Sequence, residues 1–482
     1  MKGIAKQKDP LIDDKDDDED VEIPTEETKV YYRRFYVVFV VSLIAFTQSW
    51  IWNGWGPIQG PAETVFGWSD SIIALMANWG PIAYVISIVF WTWLMGKNLR
   101  HALLLTAFLT AAGAGLRCCS MDPIPATWLN HIGLFLNGLA GPVALSAPPL
   151  VSAYWFPPKQ RTTATALTSL AAYYGVSFSF VIGPVLVPDR NETNSSLLRW
   201  KDCNLTLQNF TDCQTQRWRH GIFIYQLTEF AAAGLAFLLI LIYLPSKPPK
   251  PPSITAGIQR TSYFKGLKKV LGHKQFWLVC LSYGISIGVF AGWFSVLDVN
   301  LKHFSVQQAE AGWIGFYSNI AGAVAGLVIS RLADVIGRRT KSILLITLIG
   351  ATLSFTWFTL LCLDVLPKST ISLYIAATLG GLLLNGSIPL FYELAVEATY
   401  PIAEGTTTGI LILMNNVSCM IFLFLPMIKV LAKNVRYWMN PVIAGSCFLC
   451  IPLMILFKAR YRRLSVDLSP TAEKGAIQES IL

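Results

Sequence analysis

Four acids fall inside otherwise apolar stretches of the chain: Glu229, Asp298, Glu393 and Glu397. A carboxylate in hydrocarbon is costly, so acids in such stretches face protein or water-filled paths and serve by default as ion or proton carriers. Glu393 and Glu397 are spaced to share one helix face. Glu397 lies nearer the end of its stretch and Glu393 deeper, where protonation exchanges a charged form for a neutral one that apolar surroundings tolerate. Glu393 and Asp298 are the expected proton carriers, with Glu229 next in line; a water-exposed helix cap is an equally open reading of Asp298.

Trp52 and Trp55 flank Asn53 and Gly54, and Gly56 and Pro57 follow at once, a run that breaks a helix. A broken helix is tolerated in a membrane where its freed backbone lines a cavity. An indole face there can stack on a cation or a flat ring. Trp also gathers at bilayer edges, a reading that stays open for Trp55. Asn137, Asn385, Asn415 and Asn416 are amides within apolar stretches, where they hydrogen-bond neighbouring helices.

The residues of enzymatic chemistry are not assembled. The five histidines (His101, His131, His220, His273 and His303) fall in loops or at the ends of stretches, none at metal-ligand spacing. No Ser–His–Asp arrangement, P-loop or dinucleotide fingerprint is present. Cys118 and Cys119 are adjacent, and Cys280, Cys362, Cys419, Cys447 and Cys450 lie in apolar runs as small hydrophobes. The sequence predicts no enzyme, no cofactor and no metal, so any work must draw on gradients.

The elements that position these groups are built for a bilayer. Of 482 residues, 53% are hydrophobic and 14% charged, against about a quarter charged in soluble domains. A helical crossing needs roughly 20 apolar residues. Stretches near 36–55, 71–95, 101–119, 128–152, 162–187 and 220–244 qualify, and after a polar break so do 276–298, 309–330, 342–363, 370–395, 405–428 and 437–457. The predicted fold is all-α: twelve transmembrane helices in two six-helix halves, 35–244 and 276–458, the major facilitator architecture, whose halves cradle a site near the midplane. Residues 1–34 form an acidic tail, too polar to bury a core and unlike a cleaved leader. Residues 245–275 form a basic linker rich in proline with a short amphipathic stretch on the membrane surface, and 459–482 a second tail.

The net charge of +9 is carried in short loops, a topology signal that argues against a nucleic-acid partner. Lys29, Arg33 and Arg34, then Lys97 and Arg100, Lys159 and Arg161, the central linker, Arg331 to Lys341, and Lys458 to Arg463 all fall on one side, predicted cytosolic together with both termini. Lys429, Lys433 and Arg436 run against that pattern, and the loop at Tyr400 has no Lys or Arg. The loop 188–219, on the other side, holds four glycosylation acceptors: Asn191, Asn194, Asn204 and Asn209. Cys203 and Cys213 flank two of them and are expected to close a disulfide in an oxidising lumen, free thiols being the alternative.

The run from Ser330 through Asp334 and Gly337 to Arg338 and Arg339 resembles the major facilitator loop signature. The resemblance implies that Asp334 pairs with basic partners and latches one conformation while Gly337 allows a tight turn, with Arg338, Arg339 and Glu397 in the same gating network. The counterpart in the first half, Gly96 to Arg100, lacks the acid. The motifs Trp52 to Ile58, Asn137 to Pro142, Phe290 to Trp293, Ala311 to Phe316, Tyr392 to Glu397 and Tyr400 to Gly405 together resemble solute carrier family 49 across nearly the whole membrane portion. That family holds choline- and haem-type transporters, and the resemblance is strongest to its lysosomal, pyridoxine-exporting branch. It implies solute contacts from Trp52, Asn53, Trp55, Asn137, Trp293, Asn385 and Asn416. Trp52 aligns with a substrate-cage Trp of the choline-type members, whereas Asn416 stands where they have Gln, which argues against choline here. Those members share Glu393 and Glu397 but lack an acid at the position of Asp298.

The resemblance therefore implies a secondary active transporter of a small organic solute, exporting pyridoxine with protons from lysosome to cytosol as a monomer in the lipid bilayer. The alternatives are a choline- or haem-type facilitative transporter at the plasma membrane, or a receptor or scaffold without transport. Leu11-Ile12 resembles a lysosomal sorting signal imperfectly, since Gln7 occupies the place of its acid and Asp9 is the nearest preceding acid.

Overall fold

The computed structural model describes residues 28–187, 207–253, 256, 263–295, 297, 301, 308–337, 339–367, 369–425 and 435–467. Asp298, Arg338, Asn191, Asn194, Asn204 and Cys203 lie outside them, and of Asn209 and Cys213 only the helical backbone is described. The described elements are helical, and twelve spans are long and apolar enough to cross a bilayer. The fold is that of the major facilitators.

In the first half α1 (Arg33–Trp52) passes through a 3-10 turn to the short α2 (Gln59–Phe66), followed by α3 (Asp70–Lys97), α4 (Leu99–Arg117), α5 (Pro123–Trp155), α6 (Arg161–Leu186) and α7 (Leu207–Ile242). The linker contains α8 (Tyr263–Gly272). The second half has α9 (Lys274–Ser295), α10 (Gln308–Ile336), α11 (Thr340–Cys362), α12 (Thr370–Gly386) continued by α13 (Ile388–Thr399), α14 (Glu404–Phe424) and α15 (Val435–Leu456), after which comes the short α16 (Arg462–Asp467).

Local chemistry explains where helices stop. Helix α1 ends where the Gly54, Gly56 and Pro57 run begins. Gly337 closes α10 at φ 69°, a left-handed conformation that glycine adopts without a Cβ clash. The tenth span is two helices joined at Ser387, with Pro389 in the first turn of α13 where its missing N–H is not needed. Helix α7 starts at Leu207, inside the stretch read as a loop, so the sixth span reaches further than hydropathy alone indicates. In α8 the lysines Lys265, Lys268 and Lys269 point outward, while Val270 joins the core of the second half and Gly266 meets Ile402. The apolar face of the amphipathic linker helix is thus docked on protein.

Each half has a core, and that of the second half extends to Tyr84 and Ile88 of the first. That of the second half includes Phe276, Tyr283, Trp293, Phe355 and Phe391. The first half divides into a cluster around Trp91 and Trp155 near the basic loops and one around Trp50, Trp55 and Trp68 at the opposite end. Lipid tails are as apolar as leucine, so packing and interhelical hydrogen bonds hold such helices together. The halves meet where α6 packs on α10 and where α14 packs on α3 and α5. Gly326 of α10 lies on Leu170, and Gly409 of α14 on Thr92 and Ile88. The Thr408 hydroxyl donates to the Ser146 carbonyl at 2.9 Å. On the basic face the Lys29 N–H donates to the Pro251 carbonyl (3.0 Å), Ser246 donates to Asn98 (3.0 Å), and Lys341 Nζ donates to the Phe457 carbonyl (2.5 Å). Tail, linker and loops are tied together there.

Candidate functional site

Two groups of half-buried polar side chains stand on α1 and on α14, one in each half of the molecule. On α1, the Trp52 indole N–H donates to the Ala77 carbonyl at 2.9 Å, and its ring fills the space over Gly80. Next to it, at the C-cap of α1, Asn53 donates to the Ser179 hydroxyl at 2.8 Å. On α14, Asn416 is tied to its own helix by a 2.9 Å bond to the Ile412 carbonyl, and Asn415 hydrogen-bonds the Tyr283 hydroxyl. These four remain partly exposed. Amides open to hydrocarbon are unfavourable, so partly exposed amides at membrane depth mark a polar path.

Four tyrosines cluster beside Asn415, and of these only Tyr392 belongs to a motif quoted from the sequence. The Tyr283 and Tyr392 hydroxyls are 3.2 Å apart, and Tyr84 reaches Ser146 at 3.3 Å and the Gly409 carbonyl at 3.4 Å. Tyr392 is within electrostatic reach of Tyr283, Tyr173 and Tyr84. Two come from each half, on α3, α6, α9 and α13. A Tyr in an apolar run resembles any core aromatic, and only the fold shows that these four converge.

The amides Asn137 and Asn385 serve helix contacts. Asn137 donates to the Gln48 carbonyl (3.0 Å) and Gln48 returns a bond to the Asn137 carbonyl (3.3 Å), which clamps α5 to α1. Asn385 donates to Asn319 (3.3 Å), whose own amide donates to the Tyr173 carbonyl and the Ser177 hydroxyl, both at 3.1 Å. That relay carries α12 through α10 to α6 in the other half. Two of the expected solute contacts lie in the core of this structure. Trp55 is buried edge-on against Trp68 (4.8 Å between ring centroids) with the Arg117 guanidinium 5.5 Å from its ring. Trp293 is fully buried, donates to Asn440 at 2.9 Å and packs on Phe355 and Phe358. Both are core aromatics, because large rings stabilise best when fully surrounded.

At the basic face the seam is closed by Asp334. Its carboxylate accepts the Thr162 N–H (3.1 Å), the Thr163 N–H (2.7 Å) and the Thr163 hydroxyl (2.6 Å), all at the N-terminus of α6 in the opposite half. Among the described residues its partner is a helix N-terminus, where orphan N–H groups and the helix dipole suit a carboxylate; the expected partner Arg338 lies outside them. Arg339 is exposed, and Glu397 instead accepts the Arg463 N–H at 3.0 Å. Glu393 faces the charges of Arg463, Arg161, Asp334 and Glu404, so it belongs to this seam and not to the Trp52 group. Arg161 also donates to Ser253 of the linker. Arg161 and Arg463 read in the sequence as topology charges alone.

Glu229 forms a separate buried ion pair behind the break in α1. It pairs with Arg117 at 2.7 Å, both fully buried, while Arg117 Nε donates to Asn130 (2.9 Å), which also accepts from Gln226 (3.1 Å). A Cβ on Gly54 would stand 2.7 Å from the Glu229 carboxylate. The glycine in the α1 break therefore admits the buried ion pair.

The chain matches the Major Facilitator Superfamily over residues 38–423, and again over 295–476. It is 39% identical to the solute carrier family 49 member 4 homolog of Xenopus tropicalis over 91% of this chain and 94% of that one. It is 28% identical to the choline/ethanolamine transporter FLVCR1 of Felis catus over 92% of this chain and 76% of that one. Among solved structures it is similar to FucP, a major facilitator transporter in the outward conformation, with TM-score 0.65, 13% identity, and 88% and 99% of the two chains covered. It is also similar to the human organic anion transporter MFSD10, with TM-score 0.60, 14% identity, and 88% and 100% covered. These two likenesses show the fold. With well over a third of its residues shared along nearly its full length with a family 49 protein, the chain belongs to solute carrier family 49, transporters of the major facilitator superfamily.

Proposed function

We propose that this transporter exports pyridoxine from the lysosomal lumen to the cytosol with protons, its basic face cytosolic and its loop 188–219 luminal and glycosylated. The observation that carries the reading is the set of partly exposed polar side chains on α1 (Trp52, Asn53) and α14 (Asn415, Asn416), with four clustered tyrosines beside Asn415 and a seam held shut by Asp334. Pyridoxine is a flat pyridine bearing hydroxyl groups. Trp52 offers a face for the ring, and amides and phenols offer partners for the hydroxyls.

The proton is assigned to the seam. Glu393, Glu397, Glu404 and Asp334 bring four carboxyls to two guanidinium groups, Arg161 and Arg463. Like charges in a buried cluster resist simultaneous ionisation. Glu393 is the proposed carrier in that cluster, holding a proton while the seam is closed and releasing it when cytosolic water enters. Asp298 is the proposed luminal carrier. Loading from an acidic lumen and unloading at higher cytosolic pH gives export its direction.

A second reading, a choline-type cation, is favoured by the 28% identical choline/ethanolamine transporter and by the exposed indole of Trp52. Uptake of labelled pyridoxine and of choline, by protein routed to the cell surface, separates the two. Pyridoxine uptake that rises at acidic external pH is expected. Choline uptake without pyridoxine uptake would establish the second reading, and equal pyridoxine uptake at acidic and neutral pH would remove the proton.

A further inference from the structure

Beside the seam, on the basic face, a cavity of about 240 Å³ is lined by His273, Gln275, Ala398, Lys458, Arg460 and Arg462. Three separate elements supply these residues: the start of α9, the end of α13, and the segment that follows α15. None of the three permanent cations has a carboxylate partner among the described residues. Short basic loops normally spread their charges into water, whereas here the charges line a concave surface. The start of α9 adds to the field. His273 caps that helix by accepting the Phe276 N–H at 3.0 Å, and the positive end of the long α9 dipole opens at the cavity. Burial, and then the charges of Arg462 and Arg460, lower the His273 pKa from its ordinary value.

What lies next to the cavity defines the ligand further. Helix α8 ends at Gly272, one residue before His273, and exposes Lys265, Lys268 and Lys269 together with the apolar Leu271. A basic, partly apolar ledge thus leads from the linker into a basic cavity, at the level where the spans emerge. Planar guanidinium groups bind phosphate oxygens in pairs, and basic pockets on the cytoplasmic side of membrane helices suit phosphorylated headgroups.

We propose that this cavity is a binding site for a phosphomonoester-bearing polyanion, the chemistry shared by phosphoinositide headgroups and free inositol phosphates. The site is separate from the solute path and does not depend on which solute is carried. Its occupant would sit against the segment of Tyr461 to Arg463. That segment gives the Arg463 N–H to Glu397, and its Tyr461 hydroxyl accepts the Lys341 N–H at 3.3 Å. Anion binding therefore braces the closed seam.

The test uses full-length protein in phosphatidylcholine nanodiscs and measures saturable binding of a fluorescent short-chain phosphatidylinositol bisphosphate, with inositol trisphosphate and inorganic phosphate as competitors. Wild-type protein binds the lipid, and Arg460→Gln with Arg462→Gln weakens binding by at least about ten-fold, the scale of lost charge-assisted bonds. Lys265→Gln with Lys268→Gln, on the ledge, weakens it less. Competition by inositol trisphosphate at concentrations matching the lipid assigns the site to soluble phosphates, and failure to compete assigns it to the lipid; either supports the site. Affinity unchanged in the Arg460/Arg462 variant, at unchanged thermal stability, overturns it. Equal losses in both double variants overturn it as well, since a diffuse basic surface would behave in that way. Lys458→Gln alone, which leaves both arginines in place, provides a second reading if the double variant folds poorly.

Discussion

Replacing Asp334 by asparagine tests the seam with little change of shape. The carboxylate takes three donors from the start of α6, at 3.1, 2.7 and 2.6 Å. Asparagine keeps one uncharged acceptor and turns an amide NH2 toward donors that it cannot satisfy. Hydrogen bonds to a charged group contribute about 1.5–3 kcal/mol each, against roughly 0.5–1.5 for neutral ones. The helix-terminus interaction adds about 0.3–2 kcal/mol. With one hydrogen bond removed and two weakened, these ranges sum to roughly 4–8 kcal/mol; a buried amide costs less to desolvate than a buried carboxylate, which offsets part of it and leaves about 2–4 kcal/mol. At ~1.4 kcal/mol per ten-fold the population ratio of the closed seam then falls by a factor of about 30 to 700. A thiol at Leu170 reads that ratio. Leu170 is fully buried against Gly326 of the other half, so Leu170→Cys, with the exposed Cys119 replaced, reacts with a water-soluble maleimide only when the halves part. Its labelling rate is expected to rise by about that factor in the Asp334→Asn background. Thr163→Val, which removes one of the three donors, should raise it by about ten-fold or less. Transport should slow because the resting equilibrium is displaced. Labelling and transport both unchanged at normal abundance would refute the reasoning.

Two further expectations follow from the geometry and one from the sequence. Glu229→Gln or Arg117→Leu leaves a buried charge without its partner and is expected to cost about 3–5 kcal/mol, seen as a lower thermal midpoint in detergent; Arg117→Leu combined with Glu229→Leu should lose less than either alone, and strictly additive losses would dismiss the coupling. Trp52→Ala should raise the pyridoxine KM about ten-fold while Trp52→Phe largely restores it, and Asn416→Gln should shift preference toward choline; an unmoved KM removes Trp52 from the solute path. Glycosidase treatment should increase electrophoretic mobility, and replacing Asn191, Asn194, Asn204 and Asn209 by Gln should abolish the shift. Insensitivity of the unaltered protein from glycosylating cells would put that loop on the cytosolic side.

The sequence carries the fold more openly than it carries the site. Twelve apolar stretches can be read one at a time, because a bilayer imposes a length and a composition on each crossing. The break after Trp52 and the turn at Gly337 are equally local, since Gly and Pro act on their own backbone. Contacts between distant helices are not local. Asp334 is visible as the acid of a loop signature, yet its partner is the start of a helix 171 residues away in the chain at Thr163, and backbone N–H groups leave no mark in composition. Trp55 and Trp52 look alike in sequence, but Trp55 turns into a cluster with Trp68 while Trp52 stays partly exposed. The spacing of Glu393 and Glu397 puts them on one helix, but the arginines beside them, Arg161 and Arg463, come from chain segments that read only as topology charges. The tyrosine cluster draws single residues from four helices, so no window of sequence contains it.

Proton-coupled pyridoxine movement is tested most directly in proteoliposomes that enclose a pH-sensitive dye, with pyridoxine added outside at acidic pH and the interior neutral. Protein inserted with its luminal side outward should acidify the interior when pyridoxine is added, and Glu393→Gln should abolish that acidification at equal protein content. Pyridoxine entry without any change in internal pH would contradict proton coupling, and no entry at either pH would contradict pyridoxine as the solute.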